Sequence, residues 1–324
     1  MTEDRTGWLR DCGWGVFCHY LAAMASSDGG AAVSAEAWNA QVDAFDVRGL
    51  ADQLRSVGAP YLFITLGQNS GHFIAPNAAY DRHVGIVPSK CSRRDLVADL
   101  FEALDRHGIR LLVYLPAGAP AADPIAVERL GWEWGYVGGW PRSYGPQRTG
   151  KRLAEFQRKW ESVIREWSLR WGPKVHGWWI DGCWFADEMY RHDDEPNFPS
   201  FVAALKAGNP DAIVAFNPGV MTPVLCHTEH EDYTAGEIAQ ALPECPGSWV
   251  ERNGHRAQWH VLSYLGETWG TKPPRFPDEL VIGYTKHVIA KGGAVTWDVP
   301  IEKSGLIPDL FLKQLRLIGE RVRR

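Results

Sequence analysis

Carboxylates and amides that close apolar runs are the residues of this 324-residue chain best placed to do chemistry. In "HGWWIDGCWF", residues 176 to 185, Asp181 ends a run of Trp178, Trp179 and Ile180 set between Gly177 and Gly182. Such a run is too short for a buried helix and predicts a strand covered on both faces, as in a parallel sheet. Burying an unpaired carboxylate is costly, so Asp181 is either a structural aspartate, paired with an arginine or capping a helix, or a catalytic group at the mouth of a barrel. A second acid lies in "CHTEHEDYTAGE" (226–237). Glycoside hydrolysis needs one carboxylate to attack or to activate water and another, kept protonated, to protonate the leaving oxygen. Asp181 with Glu229, Glu231 or Glu237 could supply that pair. The same cluster offers His227, Glu229, His230, Glu231 and Asp232 as metal ligands. Its H-x-x-H spacing lacks the i, i+4 arrangement of helical zinc sites, so no metal is assigned, and no cofactor is expected.

Further polar groups follow other strand-like runs: His19 and Tyr20, Gln68 and Asn69, Tyr114, Asn217, and Trp297 with Asp298. Singly, most have a structural explanation: a satisfied core histidine at His19, a turn at Gln68 and Asn69, an Asx turn at Asn217 before Pro218, a cap at Asp298. On one face of a barrel, together, they describe a polar pocket. The sixteen tryptophans add flat aromatic faces suited to sugar rings, or simply make a Trp-rich core. Those near 132–140, Trp140 included, and Trp184 are candidates to stack on a substrate.

Strand-like runs at 14–18, 60–66, 109–115, 175–181, 212–217 and 292–299 position these groups. Helical patterns lie between them. "SRRDLVADLFEALDRHG" opens with Ser92 and Asp95 spaced as a capping box, and "LAEFQRKWESVIREWSLRWG", "FPDELVIGYTKHVIAKGG" and "IPDLFLKQLRLIGERV" carry apolar stripes. Alternating strands and helices predict parallel βαβ units and a (β/α)8 TIM barrel as one domain over residues 1–324. Strands six and seven have only "VLCHT" (224–228) and "QWHVLSYL" (258–265) as candidates. The long Gly-, Pro- and Trp-rich stretches 67–90, 116–150 and 228–257 are the loops of the active face.

Thirty-four basic against thirty-nine acidic residues give a net charge of −5, without a basic stripe for nucleic acid. No apolar run reaches the roughly 20 residues of a membrane span, and the N-terminus has no signal-like segment, which predicts a cytoplasmic protein. Six cysteines without a C-x-x-C pair read as reduced core thiols.

At these residues the chain resembles the α-L-fucosidases of glycoside hydrolase family 29. "WGVFCHY" is similar to that family's W-F-G-x-F-x-H-W, "HGWWIDGCW" to its L-W-F-D-G nucleophile strand, and "AKGGAVTWDVPIEKSGLIPDL" to its closing S-K-G-G-N-L-L-L-N-V-G-P segment. The resemblance implies a retaining exo-glycoside hydrolase acting on a carbohydrate, with Asp181 as nucleophile. It favours Glu237 as acid/base, since "HEDYTAGE" (His230 to Glu237) matches the spacing of H-x-D-[FY]-x-T-x-E, and it makes His19 a sugar-binding histidine. Departures are specific. Gln68 and Asn69 stand where the family has two histidines, Pro218 and Gly219 follow Asn217 where it has an arginine nearby, Asp298 is added as a hydroxyl acceptor, and the usual β-sandwich is missing. Alternatives are a changed sugar preference, an inverting or metal-assisted hydrolase, and an inactive sugar-binding barrel.

Overall fold

The computed structural model describes residues 4–22, 32–133, 151–184 and 186–322, with a short pair of strands at Gly135–Tyr136 and Pro146–Gln147. Seven parallel strands form one curled sheet: β1 (Trp14–Cys18), β2 (Tyr61–Thr65), β3 (Arg110–Pro116), β4 (Gly177–Asp181), β5 (Ile213–Phe216), β6 (His260–Tyr264) and β7 (Ala294–Val299). Their order is β6-β7-β1-β2-β3-β4-β5. Side-chain alternation sorts each strand. Phe17, Phe63, Leu112, Tyr114, Trp179 and Leu262 form an inner apolar cluster, whereas Val16, Ile64, Val113, Trp178 and Val261 pack with the helices. At the amino ends of the strands, helix α1 (Gly7–Cys12) inserts Leu9 into the inner cluster, and Trp8 stands edge-on to Tyr61.

Helices α2 (Val47–Val57), α3 (Leu96–Asp105), α4 (Ala154–Trp171), α5 (Phe198–Leu205), α6 (Asp278–Ala290) and α7 (Asp309–Val322) make the outer layer. In α4 a stripe of Phe156, Trp160, Ile164, Trp167 and Trp171 is buried, as its helical spacing requires. The indole N–H groups find partners at loops: Trp160 donates to the Pro116 carbonyl (3.0 Å) and Trp167 to the Pro76 carbonyl (3.1 Å). Among the described residues, nine of the sixteen tryptophans are buried, these included, so tryptophan here is chiefly core. The capping box at Ser92 does not form. Asp95 caps α3 by accepting from Ala98 N (3.0 Å), while Ser92 Oγ donates to the Arg94 carbonyl.

The eighth strand expected from the sequence is not formed. Between β5 and β6, residues 217–259 are fully described and contain no helix, only a hairpin of Trp249–Arg252 with His255–Gln258. "VLCHT" is a loop because its backbone is engaged locally: His227 N donates to the Glu231 carboxylate (2.7 Å). A ribbon, residues 232–238, occupies the position beside β5 instead. Asp232 N donates to the Val214 carbonyl (2.8 Å), and on the other side Thr234 N and Ile238 N donate to the carbonyls of Gln258 and Leu262 (both 3.0 Å). Tyr233 and Ala235 of the ribbon join the inner cluster. Among the described residues no helix is long and apolar enough to cross a membrane.

Candidate active site

Period two along a strand decides which terminal side chains meet above the inner cluster. His19, Tyr114, Asp181, Asn217, Glu237 and Tyr264 each stand two residues beyond an inner-cluster member. Asp181 Oδ2 accepts from Tyr114 OH (2.6 Å) and its Oδ1 from Asn217 Nδ2 (2.8 Å). The same Asn217 nitrogen donates to Glu237 Oε2 (2.6 Å). One amide therefore joins two carboxyl groups, and the two bonded oxygens can be no farther apart than the sum of those lengths. Gly219 N donates to Asn217 Oδ1 (3.1 Å), which fixes the amide with its nitrogen toward the acids. Gln68 Nε2 donates to Tyr114 OH (2.8 Å), so Gln68 acts on Asp181 through the tyrosine.

Electrostatics separates the three candidate glutamates. Burial, reinforced by the negative charge of Asp181, pushes the Glu237 carboxyl up to about 7 against the lowering effect of Asn217. Glu231 is also pushed up, to about 8, by burial, but its oxygens accept from His227 N and Phe216 N (2.7 and 3.4 Å). Glu229 is held down to about 2; its desolvation is outweighed by its own backbone N–H and by Arg191, which binds both oxygens (3.0 and 2.9 Å). Only Glu237 shares a partner with Asp181.

On the opposite wall, His19 Nδ1 lies 2.7 Å from Asp298 Oδ1, and Gly270 N donates to Asp298 Oδ2 (2.6 Å). Asp298 is wholly buried, and burial raises its pKa against the effect of His19. With one oxygen taken by His19, the other by Gly270, and no surface exposed, Asp298 is not the free hydroxyl acceptor expected from the sequence. It directs Nδ1–H of His19 and leaves Nε2 for the pocket. Trp269, next to Gly270, stands 5.9 Å from the His19 ring and 4.8 Å from Tyr264.

Several expected binding residues are elsewhere. Tyr20, one residue past His19, points outward, donating to the carbonyls of Gln41 and Lys303 (3.0 Å each). Trp297 precedes Asp298 and so also faces out, its Nε1 donating to Thr285 Oγ1 (3.0 Å). His230 packs on Phe198 of α5 (5.6 Å) rather than entering the pocket. Asn69 is half-buried beside Gln68, its carbonyl accepting from Ala122 N (2.9 Å). Trp184 is half-buried under Gly219, and Trp140 lies outside the described residues. Tyr264 and Trp269 escaped the sequence reading; the strand period from Leu262 signals the first, and nothing local signals the second. Among the described residues no three His, Cys, Asp or Glu side chains gather closely enough to hold a metal ion.

The alpha-L-fucosidase family profile matches residues 19–324. The chain belongs to this family. Comparison with curated proteins finds no match. In fold, this alpha-L-fucosidase family member is similar to the endo-fucoidan hydrolase P5AFcnA of glycoside hydrolase family 107 (TM-score 0.69, 15% identity, covering 99% of this chain and 94% of that one). It is likewise similar to an alpha-L-fucosidase of family 29 from Bacteroides thetaiotaomicron (0.64, 17%, 99% and 73%) and to alpha-L-fucosidase isoenzyme 1 from Paenibacillus thiaminolyticus (0.63, 17%, 98% and 74%). The structural likeness concerns the fold, and the family match carries the activity: this fucosidase-family chain is a glycoside hydrolase with a carbohydrate substrate.

Proposed function

We propose that the chain is a retaining exo-glycosidase in which Asp181 is the nucleophile and Glu237 the acid/base, and that the seven strands with ribbon 232–238 work as a (β/α)8-type barrel. The observation that carries this reading is the Asn217 amide held between both acids. Retaining glycosidases separate their carboxyl groups by about 5–5.5 Å and inverting ones by about 6.5–9.5 Å. The two bonds of 2.8 and 2.6 Å to one nitrogen cap the separation of the bonded oxygens well short of the inverting range.

Asp181 attacks the anomeric carbon while Glu237, protonated, gives its proton to the leaving oxygen; the C–O bond breaks and a glycosyl ester forms on Asp181. Glu237 then takes a proton from water, which attacks the same carbon and releases Asp181. The tyrosine and amide donors on Asp181 keep its charge localised and its orientation fixed. His19 Nε2 and Trp269 supply a hydroxyl partner and a flat face for the sugar. The preferred glycone departs from fucose, because Gln68 is engaged with Tyr114 and Asn69 has a different reach from histidine.

A panel of nitrophenyl glycosides identifies the sugar and separates turnover from mere binding. On the best of them, NMR of the first-formed anomer should show retention. Asp181→Gly should abolish turnover without unfolding, and azide should restore it by entering the vacated space. Inversion, or loss of the fold without azide rescue, overturns the assignment.

A further inference from the structure

Eight large apolar side chains are exposed among the described residues, and three of them, Val220 (54%), Met221 (40%) and Leu225 (51%), fall within six positions of one loop. The other five are scattered singly, which is ordinary for a protein surface; a cluster calls for an occupant. This loop starts at Asn217, between the two acids, and returns to the ribbon where Met221 N donates to the Glu237 carbonyl (3.4 Å). On the way it passes over Trp184 so closely that a Cβ at Gly219 would lie 2.9 Å from the indole nitrogen. Residues 217–228 contain no Asp, Glu, Lys or Arg. Cations touch the loop at its far end, where Arg191, paired with Glu229 at 2.9 Å, donates to the His227 carbonyl (3.4 Å) and Arg252 to the Cys226 carbonyl (3.5 Å).

We propose that loop 217–228, with Trp184 beneath it, is a leaving-group subsite for an uncharged aryl or alkyl aglycone. The inference rests on Glu237 being the acid/base: the leaving oxygen must come within hydrogen-bond reach of that carboxyl, so the group attached to it projects over the residues around Glu237. The exposed side chains there, Val220, Met221 and Leu225, are apolar, and they would desolvate a sulfated or otherwise charged leaving group without pairing it.

The test is a series of 4-methyl-, 4-ethyl- and 4-propylphenyl glycosides of the sugar the enzyme turns over, matched in leaving-group chemistry and differing in apolar surface. kcat/KM should rise about two- to fourfold per methylene, and the triple change Val220→Ser, Met221→Ser, Leu225→Ser should flatten that slope. Calorimetric affinities of the same series for the Asp181→Gly protein should follow the same trend. A flat slope in the unaltered protein, or a slope that survives the triple change, overturns the subsite. If no glycoside is turned over, the catalytic reading fails, and the affinity slope alone decides the subsite. If the protein is a dimer that the triple change dissociates with the slope intact, the patch is a subunit contact and the proposal is overturned.

Discussion

Asn217 serves two acids with one amide, and its loss should be legible in a pH profile. In the proposed mechanism Glu237 carries its proton to act, so activity should fall as pH rises through about 7. The Asn217 bond lowers that pKa; Asn217→Ala should therefore reduce kcat and move the alkaline limb to higher pH. Glu237→Ala should lower kcat/KM by roughly 10²–10⁴ on glycosides with poor leaving groups and far less on dinitrophenyl glycosides, which need little proton assistance. Stability follows the same group: Glu237 in the folded state binds its proton more tightly than in the unfolded chain. Its contribution is present at low pH and is lost as pH rises from the ordinary carboxylate range through about 7. Glu237→Gln should accordingly raise Tm at pH 8 more than at pH 5. Asp298→Asn keeps an acceptor for His19 Nδ1–H but turns an NH2 toward Gly270 N, leaving a buried donor unmatched. We expect KM to rise about tenfold, in line with a lost bond of about 1–3 kcal/mol, and the 15N shifts of His19 to report a mixture of tautomers.

At the level of elements, Glu237 reaches the pocket because Gly236 has φ +61 and presses against β6: a Cβ there would lie 2.0 Å from the His260 carbonyl oxygen. Gly236→Ala should lower Tm and reduce kcat/KM at least tenfold. Gly254→Ala, at φ +79 in the hairpin turn with open space around it, should cost about 1 kcal/mol and leave kinetics alone. The same geometry explains what the sequence makes legible. Strands with continuous Val, Ile, Leu and Trp runs are visible because both faces are buried, and Asp181 and Asn217 stand out as the polar residues that end them. Adjacency to His19 and Asp298 points Tyr20 and Trp297 to the pocket, although the strand period places each on the opposite side. Ribbon 232–238 gives no strand signal because its register depends on Asp232 and Thr234 bonding neighbouring strands, contacts remote in sequence. The resemblance of "HEDYTAGE" to the family pattern points to Glu237, whose link to Asp181 passes through an asparagine twenty residues away.

Across the whole molecule, stability and chemistry are separated along the strand axes. Leu9 closes the amino end of the inner cluster, while Asp181 lies at the carboxyl end. Leu9→Ala should cost about 2–5 kcal/mol in urea unfolding with kcat unchanged. The walls beside the two acids differ too. Asp181 ends a strand backed by α4 through Trp171 on Trp178 (6.0 Å), whereas Glu237 sits on a ribbon in the one crossover that has no helix. Substitution around Asp181 would disturb a packed layer; insertion or exchange within 217–259 would mostly alter loops. On the proposed assignment the nucleophile is in this sense the anchored half of the site and the proton donor the revisable half. A lineage could reshape how the leaving group is received, generation after generation, without ever rebuilding the part that holds the sugar's covalent partner.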